Sequence, residues 1–193
     1  MKRIDFFFDL SSPYSYLAAT QLPSLAARAG AEVAWRPMVL GAVFKATGNV
    51  MPATCAPKAR NMLDDLGRWA AHYGVPFRFT TRFPVNAMKA MRMIAAVDET
   101  QAAALSRALF DALWVDDRDL TDEKELLAIG ERAGVDAAKA LAATETQPVK
   151  DRLRAFTDEA IRRGAFGAPA MFVGDQLFWG NDRLHFVEEA LAK

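Results

Sequence analysis

Residues 6–16 read Phe-Phe-Phe-Asp-Leu-Ser-Ser-Pro-Tyr-Ser-Tyr, and their order governs how the rest of the chain is read. The aromatic run before Asp9 has the short, apolar character of a buried strand, expected over residues 3–10. Ser11-Ser12-Pro13 turns the chain. Tyr14 to Ala29 then carries Leu17, Leu22 and Leu25 on one helical face, ahead of Gly30, a plausible C-cap. With Ser12 at or close to the N-cap and Pro13 at the first helical position, a strand delivers a serine hydroxyl to a helix N-terminus. Free amides and the positive end of the helix dipole gather there, so the position favours an anion such as a substrate-borne thiolate.

Working outward, residues 32–40 (Glu-Val-Ala-Trp-Arg-Pro-Met-Val-Leu) read as a second strand, which Pro37 limits to an edge or an end. Strand, helix and strand in that order imply a parallel pair. From about Gly41 to Thr146 the chain is rich in Ala, Leu, Met, Arg and Asp, and helices fit at roughly 57–73, 86–97, 99–115, 121–133 and 136–142. Thr121 followed by two acids is the expected cap of the fourth of these. Asn49 to Pro57 is a Pro-containing loop. Residues 147–163 form an amphipathic helix closed by Gly164. Residues 166–173 are a strand entered through Pro169, Gly174-Asp175 a tight turn, and 176–179 a returning strand. Residues 181–192 are a final helix capped by Asn181 or Asp182. Without the helical block the order is βαβ-αββα. The expected fold is therefore α/β: a thioredoxin-like core from residues 1–40 and 147–193, interrupted by an all-helical insertion at 41–146. In that fold the residue before the third strand is often a cis-proline, and Pro169 stands there.

The bulk properties fit a globular chain. Its 193 residues allow one sizeable core or two small lobes. A formal net charge of zero and no basic run argue against a nucleic-acid partner. No apolar stretch approaches membrane-spanning length, and no signal peptide is visible. The single cysteine, Cys55, excludes an intrachain disulfide, so a reducing cytoplasm is expected. Without a His or Cys cluster, no metal site is expected. His72 and His185 form no serine–histidine–aspartate arrangement with a visible partner.

Five segments carry a resemblance. They are Phe8-Asp9-Leu10-Ser11-Ser12-Pro13-Tyr14-Ser15-Tyr16-Leu17; Gly48-Asn49-Val50; Lys58 with Asp65 in Asp65-Leu66-Gly67-Arg68-Trp69-Ala70; Gly164-Ala165-Phe166-Gly167-Ala168-Pro169; and Phe178-Trp179-Gly180-Asn181-Asp182-Arg183-Leu184. Each alone is weak, but in this order they are specific and span nearly the whole chain. The chain resembles the DsbA branch of the thioredoxin superfamily, and within it the 2-hydroxychromene-2-carboxylate isomerases and the related kappa-class glutathione transferases. The Trp-Gly-Asn-Asp-Arg ending favours the isomerases.

The resemblance implies glutathione as a bound cofactor whose thiolate adds to an aromatic carboxylate substrate, allows a double bond to rotate, and leaves again. It also implies a homodimer. Ser12-Pro13-Tyr14-Ser15 occupies the place of a redox Cys-x-x-Cys, so dithiol exchange is excluded there. Ser12 is then either a helix cap alone or also the hydrogen-bond donor to the thiolate. A charge-assisted bond contributes on the order of 1.5–3 kcal/mol. That corresponds to a thiol pKa depressed by roughly one to two units.

Further roles follow from the same resemblance. Ala168 and Pro169 would present backbone groups to the cysteinyl part of glutathione. Asn181, Asp182 and Arg183 would hold its γ-glutamyl end, unless they merely cap the last helix. Lys58 and Asp65, seven residues apart on one helix face, would take a carboxylate and the ammonium, unless the face is simply solvated. Asn49 would contact glutathione or substrate. Tyr14, Trp35, Arg36, Phe83 and Asn86 are candidates for the aromatic substrate's pocket. Cys55 is expected to be a bystander. Asn61 replaces an aromatic usual in the family, which bears on the pocket's shape. The alternatives are a transferase that consumes glutathione and a non-redox thiol- or peptide-binding protein.

Overall fold

The computed structural model describes residues 2–193. Strand β1 (Lys2–Phe8) leads through the Asp9–Ser12 turn into α1 (Pro13–Ala29), and β2 (Ala31–Pro37) returns beside β1. Seven helices follow: α2 (Leu40–Thr47), α3 (Ala56–Tyr73), α4 (Met88–Ala96), α5 (Glu99–Trp114), α6 (Glu123–Arg132), α7 (Ala137–Ala143) and α8 (Gln147–Arg162). The hairpin of β3 (Ala170–Val173) and β4 (Gln176–Trp179) and the helix α9 (Leu184–Ala192) end the fold. The sheet runs β2-β1-β3-β4. β1 and β2 are parallel, with Phe6 opposite Trp35. β1–β3 and β3–β4 are antiparallel. This is a thioredoxin-like α/β fold.

The expected caps of α1 are present. Ser12 is extended (φ −94, ψ 111) and its side chain accepts from the Ser15 amide, while Gly30 closes the helix in the left-handed conformation (φ 61). Phe6 and Phe8 point to one face of the sheet, stacked on each other at 5.0 Å and met edge-on by Trp35. Phe7 points to the other face, against Phe172. All three phenylalanines are fully buried, each stabilising the fold by roughly 1.5–3 kcal/mol.

Three expectations are corrected. β2 ends at Pro37, and residues expected to extend it instead begin α2. Val39 offers this helix no side-chain cap. Its first amides are satisfied from a distance, the Val39 amide donating to Thr157 Oγ1 at 3.0 Å and the Leu40 amide to Asp9 Oδ2 at 2.9 Å. At α6 the cap is Asp122, not Thr121, whose hydroxyl donates to Asp119. The last helix is also shorter than expected: Asn181–Arg183 form a 3₁₀ turn without a side-chain cap, and α9 starts at Leu184. The bond before Pro169 is cis, as expected, and so is Phe83–Pro84.

Candidate functional site

The N-terminal turn of α1, the approach to β3 and the turn after β4 converge with α2, α3 and residues 83–85 around a cleft of about 960 Å³. Ser12 lines it and is 5% exposed. Its Oγ accepts from the Ser15 amide at 3.2 Å and donates to the Ala168 carbonyl at 3.3 Å. The second bond is long for O–H···O. A stronger acceptor, such as an anion at the positive end of α1, can therefore accept that hydrogen bond in place of the carbonyl.

Asp9 fixes the turn that carries Ser12. Oδ1 accepts from the Ser11 amide (2.9 Å) and hydroxyl (2.7 Å), and the Asp9 carbonyl accepts from the Ser12 amide (3.0 Å). Burial pushes the Asp9 carboxyl pKa up, against the lowering effect of the Leu40 and Ser11 bonds.

Across the cleft, the Tyr14 hydroxyl donates to Asp65 Oδ2 at 3.0 Å. Burial foremost, then this bond and the charges of Asp65 and Asp182, pushes the Tyr14 pKa far up, so the phenol stays protonated. The Tyr73 hydroxyl donates to the Asn181 carbonyl at 2.7 Å and holds the turn after β4 against α3. The Asp182 carboxylate pairs with Arg183 and lies against the Gly180 backbone. Gly180 adopts φ 99, and a Cβ there would collide with that carboxylate.

The cleft brings together Ser12, Tyr14, Asn49, Lys58, Asp65, Phe83, Ala168, Asn181 and Asp182 from the expected set. Pro169 follows Ala168 directly, and its carbonyl accepts from the Gly180 amide at 3.1 Å. Asn49 is engaged by its own fold: Nδ2 donates to the Phe166 carbonyl and Oδ1 accepts from the Val50 amide, both at 2.8 Å.

Four expected site residues lie elsewhere. Trp35 is packed against Phe6 and Phe8 in the core. Arg36, the next residue on β2, points to the opposite face of the sheet, paired with Glu159 at 2.8 Å and Asp5 at 3.3 Å. Asn86 accepts from the Met88 amide and lines a separate hollow of about 400 Å³ behind residues 84–85. Arg183 is turned toward Asp182 and does not line the cleft.

The apolar wall comes largely from residues not singled out in the sequence: Leu40 and Phe44 of α2, Met62 and Trp69 of α3, and Trp179 of β4. Trp69 and Trp179 stand within the quoted motifs, and the seven-residue spacing that sets Met62 and Trp69 on one helix face is a further signal. Cys55, expected to be a bystander, also lines the cleft and is exposed. Among the described residues, no group of three or more His, Cys, Asp or Glu side chains is placed to hold a metal ion, and no helix is long and apolar enough to cross a membrane.

Comparison with known proteins adds to this geometry. The DSBA-like thioredoxin domain family matches residues 3–192. The chain is 39% identical over 192 residues to 2-hydroxychromene-2-carboxylate isomerase of Sphingobium xenophagum, covering 98% of both chains. It is 29% identical over 207 residues to glutathione S-transferase kappa 1 of Homo sapiens, covering 100% of this chain and 92% of that one. A solved 2-hydroxychromene-2-carboxylate isomerase superimposes with a TM-score of 0.90 at 33% identity, over 98% of this chain and 94% of the other.

Proposed function

We propose that this chain, which belongs to the DSBA-like thioredoxin family, is a glutathione-dependent isomerase interconverting 2-hydroxychromene-2-carboxylate and trans-o-hydroxybenzylidenepyruvate. The observation that carries the reading is Ser12, a hydroxyl at the start of α1 in a cleft whose fold matches a named isomerase over nearly its whole length.

The donor set suits the tripeptide. Glutathione has one thiol, one ammonium and two carboxylates. The cleft offers the weakly held Ser12 hydroxyl, the carboxylates of Asp65 and Asp182, the Lys58 ammonium and the backbone of Ala168. When bound, glutathione supplies a sulfur nucleophile that lets a conjugated double bond rotate. Ser12 donates its hydrogen bond and, with the α1 dipole, favours negative charge at that point. Lys58 attracts a carboxylate. Leu40, Phe44, Met62 and Phe83 give an aromatic ring an apolar surface and exclude water. Ser12 and Ser15 rule out dithiol exchange at this position. The reading also implies a reducing cytoplasm, where the cofactor thiol stays free, and a homodimer.

The second reading, a kappa-type transferase, uses the same thiolate site and has the kappa relative in its favour. Substrate turnover with trace glutathione separates the two. Many turnovers per glutathione with no loss of free thiol are expected. Thiol lost in step with substrate would make the chain a transferase. Inactivity in both assays with peptide binding retained would make it a thiol- or peptide-binding protein.

A further inference from the structure

We propose that Tyr14 is a positioning residue for the ammonium-binding carboxylate of the glutathione site and not a wall of the aromatic pocket; this rests on the glutathione reading above. Tyr14 lies two residues beyond Ser12, in the first turn of α1, and its hydroxyl reaches across to α3, donating to Asp65 Oδ2 at 3.0 Å. The bond fixes one oxygen of Asp65 and leaves Oδ1 to accept from a ligand.

The two acids of the cleft are not equivalent. Asp182 already has a cation, Arg183, supplied by its own neighbour in the chain. Among the described residues Asp65 makes no ion pair, and its side-chain partner is a neutral phenol. A carboxylate in a cleft wall with one neutral donor and no cation favours a positively charged ligand. The phenol cannot reverse its role, because burial and the nearby acids keep it protonated and therefore a donor. Tyr14 also joins the two halves of the ligand site, since one short turn carries both the thiolate donor, Ser12, and the residue that orients the ammonium acceptor. Asp65 thus takes the γ-glutamyl ammonium, with Tyr14 setting its orientation, and Asp182 acts through its backbone turn and its charge.

Tyr14→Phe removes a single oxygen and leaves the ring packing in place. Its binding is measured by calorimetry with glutathione and with glutathione acetylated on the γ-glutamyl nitrogen, which carries no ammonium. Glutathione is expected to bind the variant roughly threefold to tenfold more weakly, the size of one lost hydrogen bond. The acetylated ligand is expected to bind both proteins equally, and the pKa of the bound thiol is expected to stay unchanged. In an Asp65→Asn background, Tyr14→Phe is expected to add much less, which a double-mutant cycle reads directly. Unchanged glutathione affinity, equal losses for both ligands, or an effect confined to the KM of the aromatic substrate would overturn the assignment. Failure of the unaltered protein to bind glutathione at all would overturn the functional reading first, and this inference with it.

Discussion

Ser12 carries no charge, and its chemistry depends on what surrounds one hydroxyl. The Ser15 amide occupies its acceptor side and the long bond to Ala168 leaves its proton available. A side chain that is only a cap would stabilise α1 by about 1 kcal/mol and do nothing more. The open cleft in front of it is what makes the donor role available. A second residue, Asp117, shows how a single side chain holds the cleft wall. It has positive φ (55), and its carboxylate accepts from Thr80 Oγ1 (2.6 Å), the Thr81 amide (3.0 Å) and Thr81 Oγ1 (2.7 Å). Phe83, two residues after Thr81, lines the cleft. The Thr80 and Thr81 bonds pull the Asp117 pKa from 3.8 down to about 2. A depressed folded-state pKa means the ionised form contributes stability above the ordinary value, and that contribution disappears as pH falls through the folded pKa. Melting temperature is therefore expected to drop between pH 3.8 and about 2 more steeply in the unaltered protein than in Asp117→Asn; equal slopes would contradict the role of these bonds.

At the scale of elements, α2 is the most instructive. Its sequence contains no capping residue, yet its Leu40 and Phe44 form part of the cleft wall. It starts where it does because Asp9, at the end of β1, reaches its first turn with Oδ2 while holding Ser11 with Oδ1. One buried carboxylate, 8% exposed, thus ties the Ser12 turn to the apolar wall. Asp9→Asn keeps the shape but places an amide nitrogen against donor groups. A stability loss of about 1–3 kcal/mol is expected in denaturant unfolding, the cost of an unsatisfied buried donor; a loss within error would show that α2 does not depend on this contact. β2 teaches the complementary lesson. Its alternation sends Trp35 into the core beneath Phe6 and Phe8, and Arg36 to the other face, where Asp5 and Glu159 pair with it. Arg163 completes that network, pairing with Asp5 at 2.8 Å and lying 4.0 Å from the Phe172 ring centroid.

Across the whole molecule, what the sequence made legible was local and what it concealed was distant. The strand–turn–helix at residues 6–16, the hairpin around Gly174-Asp175 and the glycine end of α1 depend on neighbours within a few residues, and all are readable in the sequence. The start of α2 depends on Asp9, about thirty positions away, and the placement of Arg36 on Glu159, more than a hundred away. No pattern within a strand or helix announces such partners. The polar residues of the cleft were found because motif order carried them. Most of its apolar wall is not legible in the sequence, because nothing local to Leu40, Phe44 or Met62 shows that the fold brings them into one cleft with Ser12. The comparison that decides the role of this arrangement is an ultraviolet titration of glutathione bound to the unaltered protein and to Ser12→Ala. The bound thiol is expected to ionise roughly one to two units below the free thiol in the unaltered protein, and about one unit or more higher in the variant. The same pKa in both proteins would remove Ser12 from thiolate stabilisation and leave it as a helix cap.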